Sequence, residues 1–425
     1  MPITALLFMI IFAVGMVATL YHPVFGILLY VFEWHNHPPY MWWGDSVPDL
    51  RYPFLISLTT LFSYFLNRNK LRELKSIYYG PFVWLAVLVI WMYIVTFGWA
   101  FKPDESFKQT FEFTKFVVFY LLIIWTIREW KHYRWFILTL MLGVANFGRI
   151  AYERGSNRYL GVIAPNATEE NAISAHVVST MPFFGIRFLE KVKWLRVFII
   201  IAAPFLINLL ILANSRGAFV ALIMIALVGL VLFPPKEKLK IILAILVAAI
   251  MVLWLANETF WERQKTTLKP KEEGSAASRF YLWNGALKAI RDYPLGIGDE
   301  GFEYLVWDYV PELVPKMEEK GAKTVHNTFL LAGVDWGIPG LFLFMGFLIH
   351  TFLVLHRMKV KLKFLYPQFR KKYYYDIIAL QLALIGFLTA GFFTNRLYAE
   401  VLYWYGALSV AMVNIINQDI EDQTA

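Results

Sequence analysis

Apolar runs of close to twenty residues recur along almost the whole chain, parted by short polar loops, and only one polar stretch is long, Asn257 to Val325. Runs of that length with few internal charges suit helices crossing a hydrocarbon core, because a helix satisfies its own backbone where no water can. Strand-type alternation is lacking, which argues against a β-barrel. The runs at 52–67, 81–98, 111–127, 134–150, 171–187, 195–213, 217–233, 239–256, 328–355, 377–393 and 398–415 predict one span each. The first 34 residues fit either two spans or one span followed by a short re-entrant or interfacial helix after Pro23. The expected fold is all-α and polytopic, with about 12 transmembrane helices, both ends in the cytoplasm and one long helical outer loop. Ile3 to Leu20 has no basic residues before it and no small-residue cleavage site after it, so it reads as a retained helix rather than a signal peptide.

Composition agrees: 59% of the 425 residues are hydrophobic, 17% are charged and the mean hydropathy is +0.53, outside the range of soluble domains. A net charge of +9 would suit nucleic acid if it were clustered on one domain. It is instead spread over five loops: Arg68 to Lys75, Arg128 to Arg134, Arg187 to Arg196, Lys236 to Lys240 and Arg357 to Lys372. With the predicted spans between them, all five fall on one side, the cytoplasmic one by the positive-inside rule. The charge is topological, and no nucleic-acid partner is expected. The absence of cysteine excludes disulfides, thiolate catalysis and cysteine-ligated metals. Three regions follow: a bundle over 1–256, a large periplasmic loop over 257–326, and a closing bundle over 327–425 with a cytoplasmic loop at 356–376. No internal repeat is visible, which disfavours an inverted-repeat transporter.

Candidate chemistry collects on the outer face. Arg216 follows Asn214 and Ser215 in a tight turn between two apolar runs, so a guanidinium and the free amides of a helix start converge as an anion clamp. The competing interpretation is an arginine snorkelling to the interface. Ser278 is placed to cap a helix to about Asp292 with Phe280, Trp283, Leu287 and Ile290 as its apolar stripe. Arg279 and Arg291 lie in that helix roughly 120° apart, so only one of them reaches a common point, with Arg279 the better placed. Gly296 and Gly298 would either admit phosphate close to the backbone or simply form a turn.

His326 stands at the start of the next span beside Asn327 and Thr328. Its ordinary pKa near 6.5 allows it to accept a proton at neutral pH, although a lone histidine at a membrane boundary is more often structural than catalytic. His176 lies inside a span and reads as a buried hydrogen-bonded residue. His35 and His37 have no carboxylates completing a metal set, and the adjacent Asp299 and Glu300 give poor support to metal-held diphosphate.

The turn Asn214-Ser215-Arg216-Gly217-Ala218, the segment Arg279 to Gly298 with Pro294-Leu295-Gly296-Ile297-Gly298, and His326-Asn327 followed by Gly333, Gly337 and Gly340 resemble the core of the O-antigen ligase and O-antigen polymerase superfamily. The resemblance covers roughly residues 195–350. It implies metal- and cofactor-independent, inverting transfer of a glycan from undecaprenyl diphosphate to an acceptor hydroxyl at the periplasmic face of a bacterial inner membrane. It further implies His326 as base, and Arg216 and Arg279 on the carrier diphosphate, with Arg291, Ser215 and Asn327 as secondary candidates. Arg149, Arg291 and Arg396 also lie near the outer face and could stand in for either arginine. Lipid A core is the favoured acceptor, with another glycan or a protein hydroxyl as alternatives. By analogy of size the chain is similar to ligases, including O-glycosylation ligases associated with exosortase systems. A transporter or flippase for the same lipid-linked glycan is the alternative of another class, and a non-catalytic scaffold is a third.

Overall fold

The computed structural model describes residues 1–156, 159–256, 258–265 and 274–424. Among these, helix is the only regular structure apart from two isolated β-bridges. The first ten helices are α1 (Ile3–Tyr21), α2 (Val24–His35), α3 (Tyr52–Leu66), α4 (Gly80–Gly98), α5 (Pro103–Thr126), α6 (Trp130–Arg154), α7 (Glu170–Leu189), α8 (Lys193–Ala213), α9 (Arg216–Leu232) and α10 (Pro235–Leu255). The long loop forms α11 (Glu258–Lys265), α12 (Gly274–Asp292), α13 (Phe302–Tyr309) and α14 (Val314–Lys320). The chain closes with α15 (Thr328–Phe364), α16 (Pro367–Gly391) and α17 (Glu400–Thr424). Eight described helices are long and apolar enough to cross a membrane, and α3 and α9 are shorter apolar helices. The protein is an all-α, multi-pass membrane protein.

Alternation of the helices puts every basic loop on one face, as expected. There Arg72 pairs with Asp419 and Asp422 at the end of α17, and Arg134 and Arg187 share Glu190. The amino terminus departs from the expected placement. Asn67 and Lys70, at the basic end of α3, bond the carbonyls of Leu20 and Tyr21. Phe8 near the start of α1 meets Tyr52 at the opposite end of α3. The chain therefore starts on the face away from the basic loops, and its two ends lie on opposite faces. The reason is that α2 runs back up the bundle. Its 12 residues span about 18 Å, and it ends where the His35 ring meets His176, Nε2 to Nε2 at 3.0 Å. His176 is thus the buried, bonded residue anticipated.

The expected loop at 356–376 is mostly helix, with only Leu365 and Tyr366 between α15 and α16. Met358 and Leu362 are buried there, and Lys359 turns inward to donate to Gln381 Oε1 at 3.0 Å. The alternate lysines hid a helix that continues past the apolar span.

The outer loop builds its own small core from Leu282, Ala286 and Ala289 of α12 with Phe302, Val306 and Val310. The buried side of α12 is therefore turned by roughly 110° from the predicted stripe, and Phe280 and Leu287 are exposed. Small alanines face inward because α13 crosses α12 closely at Gly285, where a Cβ would meet Val310 at 2.4 Å. The helix also begins at Gly274, so Ser278 lies inside it rather than capping it, and Arg279 sits a turn or more past its start.

Candidate functional site

The turn after α12 fixes the loop to the bundle. Ile297 and Gly298 donate their amides to the Val334 and Asp335 carbonyls, and Ile338 returns one to Pro294. At this point α15 is kinked, with Gly337 at φ 69°. Gly296 and Gly298 also have positive φ, and the indole of Trp99 donates to the Gly296 carbonyl at 3.0 Å. These glycines serve backbone-to-backbone docking, which decides between turn and phosphate cradle in favour of the turn. Beneath it, Tyr398 donates to Asp335 Oδ2 and accepts from the Trp336 indole, both at 2.8 Å. Burial, and then the neighbouring Glu300, push Asp299 in this turn up to about 7.

Docking holds the end of the loop over the start of α15, where His326 takes up the left-handed region at φ 53°. A non-glycine residue there costs about 1–3 kcal/mol and persists only where its surroundings enforce it. The enforcement is visible. Asn327 caps α15, its Oδ1 receiving the amides of Phe329 and Leu330 at 2.9 and 3.1 Å. Its own amide donates to Asn395 Oδ1, and Asn395 donates on to Thr324 Oγ1. Thr328 Oγ1 lies 2.8 and 2.9 Å from the carbonyls of Gly391 and Thr394 and accepts the Arg396 amide at 2.9 Å. Asn327 is thus the residue that shapes the His326 turn. Burial lowers the His326 pKa below its ordinary 6.5; Glu169 opposes this, and Arg279 and Lys323 add to it.

The connection between α16 and α17 is the hub. Phe392 and Phe393 pack against Trp283 of α12, with ring centroids at 5.3 and 6.5 Å. Phe393 also meets Gly217, where an added Cβ would come within 3.0 Å, so the turn that holds the buried Arg216, at the first position of α9, meets the same segment. Ser215 caps α9, its Oγ 3.4 Å from the Ala218 amide. Asn214, in the left-handed region, accepts from Gln264 of α11. Arg396 is 3% exposed. Its Nη1 donates to the Asn166 carbonyl at 2.6 Å, while Nε and Nη2 have no partner among the described residues. Burial lowers its pKa to about 10 against the pull of Glu169.

Trp283, Asn327 and the Arg216 turn, through Gly217, therefore meet residues 391–396, with His326 next to Asn327 and Arg279 near enough to lower its pKa. Arg291 is not among them, since it lies exposed on the far side of α12. Arg149 is engaged by Glu153 and Asn146. Glu169, whose charge reaches both His326 and Arg396, had no spacing signal to reveal it.

Residues 197–345, about a third of the chain from α8 into α15, match the family model described as O-antigen ligase. This part of the chain is similar to the O-antigen ligase family. No curated protein matches the chain. The matched region holds Arg216, Arg279 and His326, whereas Glu169, just before α7, and Arg396, in the connection between α16 and α17, lie on either side of it. The match supports a membrane glycosyltransferase of ligase or polymerase type.

Proposed function

We propose that the protein transfers a glycan from undecaprenyl diphosphate to an acceptor hydroxyl at the periplasmic face of the inner membrane, with lipid A core as the favoured acceptor. His326 takes the proton of the hydroxyl. The freed oxygen attacks the anomeric carbon from the side opposite the carrier, inverting it, and the C–O bond breaks with its electron pair passing to the diphosphate. Arg216 and Arg279 meet the charge that grows on that leaving group, the point at which fixed cations accelerate such a step most. No metal takes part in this scheme.

The observation that carries the proposal is a strained, half-buried His326 with Arg279 close enough to act on its charge, beside a 391–396 connection against which the Arg216 turn packs through Gly217. A histidine held below its usual pKa is neutral at pH 7 and free to accept a proton. The test is transfer in vitro with purified protein, undecaprenyl-diphosphate-linked glycan and lipid A core in the presence of a chelator. Product from wild type but not from His326→Ala is the expected result. Equal product from both removes His326 as base. Product only when the acceptor is a second glycan or a protein hydroxyl reassigns the chain to polymerisation or protein glycosylation.

A further inference from the structure

The geometry points to a saccharide-binding groove on the outer loop, with Lys288 and Arg291 selecting for acidic sugars. A groove of about 380 Å³ lies between the outward side of α12 and the corner after α13. Tyr281, Asn284, Lys288 and Arg291 form one wall, and Tyr309 and Glu312 form the other. The four α12 residues recur at intervals of three and four, so they make one stripe along the helix. That stripe lies roughly 160° around the helix from Arg279. The groove is thus separate from the site around His326.

Its lining is what a carbohydrate needs and a lipid does not. Tyr281 and Tyr309 bring aromatic rings to the lining, and Leu287 adds an apolar side chain. The Tyr309 ring is held by its hydroxyl, which donates to Asp292 Oδ2 at 2.5 Å. Asn284, Lys288 and Arg291 make no hydrogen bond or ion pair with another described residue, so their donors are open to a ligand. Two free cations face one lining carboxylate, Glu312. That balance favours a chain bearing carboxylate or phosphate groups, with arginine gripping them in bidentate fashion. A glycan starting at His326 must pass α12 to enter the groove, so the sugars held there are remote from the reacting one.

Whether they belong to the donor or the acceptor rests on the proposed transfer, but the affinity of the groove for saccharide does not. The first test therefore needs no turnover. Saturation-transfer NMR on the full-length protein in nanodiscs would compare a tetrasaccharide of alternating glucuronic acid and N-acetylglucosamine with neutral N-acetylchitotetraose. The acidic probe should bind about tenfold more tightly, and Lys288→Glu with Arg291→Glu should remove that preference. Tyr281→Ala should weaken both probes. These residues are on the surface, so the variants should keep the wild-type melting temperature. No binding of either probe, equal binding of the two, or wild-type binding by the variants would overturn the inference. In the transfer assay, a raised KM for donor alone identifies donor glycan in the groove, and a raised KM for acceptor alone identifies acceptor glycan. Binding of the acidic probe by a protein that transfers nothing would leave the groove standing and remove the proposed function.

Discussion

Gly296 and Gly337 lie backbone against backbone. A Cβ on Gly296 would come within 2.5 Å of the Gly337 nitrogen, and one on Gly337 within 2.5 Å of the Gly296 nitrogen. Both residues have positive φ, at 87° and 69°. Neither clash ends on a flexible side chain, so it cannot be relieved cheaply. The outer loop is positioned by this contact, and His326 is at its far end. Gly296→Ala should destabilise the protein by about 1–3 kcal/mol from the backbone conformation alone, with the clash adding to it. The variant should show a lower melting temperature and faster proteolysis of the 257–326 loop, while α1 to α9 remain protected. An unchanged melting temperature would show that the docking is looser than this geometry requires.

The charges around His326 give a pH dependence with a definite sign. Burial holds the imidazole below 6.5, so the neutral base persists into mildly acidic solution and the acid limb of kcat/KM should fall below pH 6.5. Arg279 depresses this pKa, so Arg279→Gln should move the limb upward, in addition to weakening donor binding. Glu169 raises it, so Glu169→Gln should move the limb downward. A limb that ignores both substitutions would mean that another group titrates.

Arg216 is a sharper test of geometry than of charge. It sits buried at a capped helix start, next to Gly217, which packs against Phe393. Lysine keeps the charge but not the two-pronged donor set, so Arg216→Lys should lose about tenfold or more in kcat/KM for the lipid-linked donor. The melting temperature should change little. Full activity in this variant would reduce Arg216 to an interfacial anchor.

The spans were legible because lipid enforces a simple rule of length and charge, and because each basic loop marks one face. The exceptions have physical causes. α2 is too short to show as a span, yet it reverses the placement of the amino terminus, through bonds from Asn67 and Lys70 that hydropathy does not contain. The lysines of 357–363 resembled a loop although Met358 and Leu362 continue a buried helical face. The orientation of α12 was set by tertiary docking on Gly285 rather than by its largest apolar residues. For the site, the helix starts at Arg216 and Asn327 could be read from turn chemistry. Glu169 and Arg396 could not be ranked, because single charges at span ends are common and only contacts distinguish a useful one.

Arg396 is where stability and activity should part. It is a buried cation with a hydrogen bond through Nη1 to the Asn166 carbonyl and two nitrogens, Nε and Nη2, that no described residue satisfies. Unmet buried donors cost about 1–3 kcal/mol each, more when charged, and replacing a poorly compensated buried charge by an apolar side chain is often neutral or stabilising. A fold kept for stability alone would gain by losing this residue. If Arg396 instead serves a bound anion beside His326, Arg396→Met should melt at the wild-type temperature or above it while kcat/KM falls by about tenfold or more. Arg396→Lys should recover only part of the loss, since a point charge replaces the fork. Measuring melting and turnover on the same preparations decides the matter. A large drop in melting temperature that accounts for the lost activity would make Arg396 a structural tie to the Asn166 carbonyl, and nothing more.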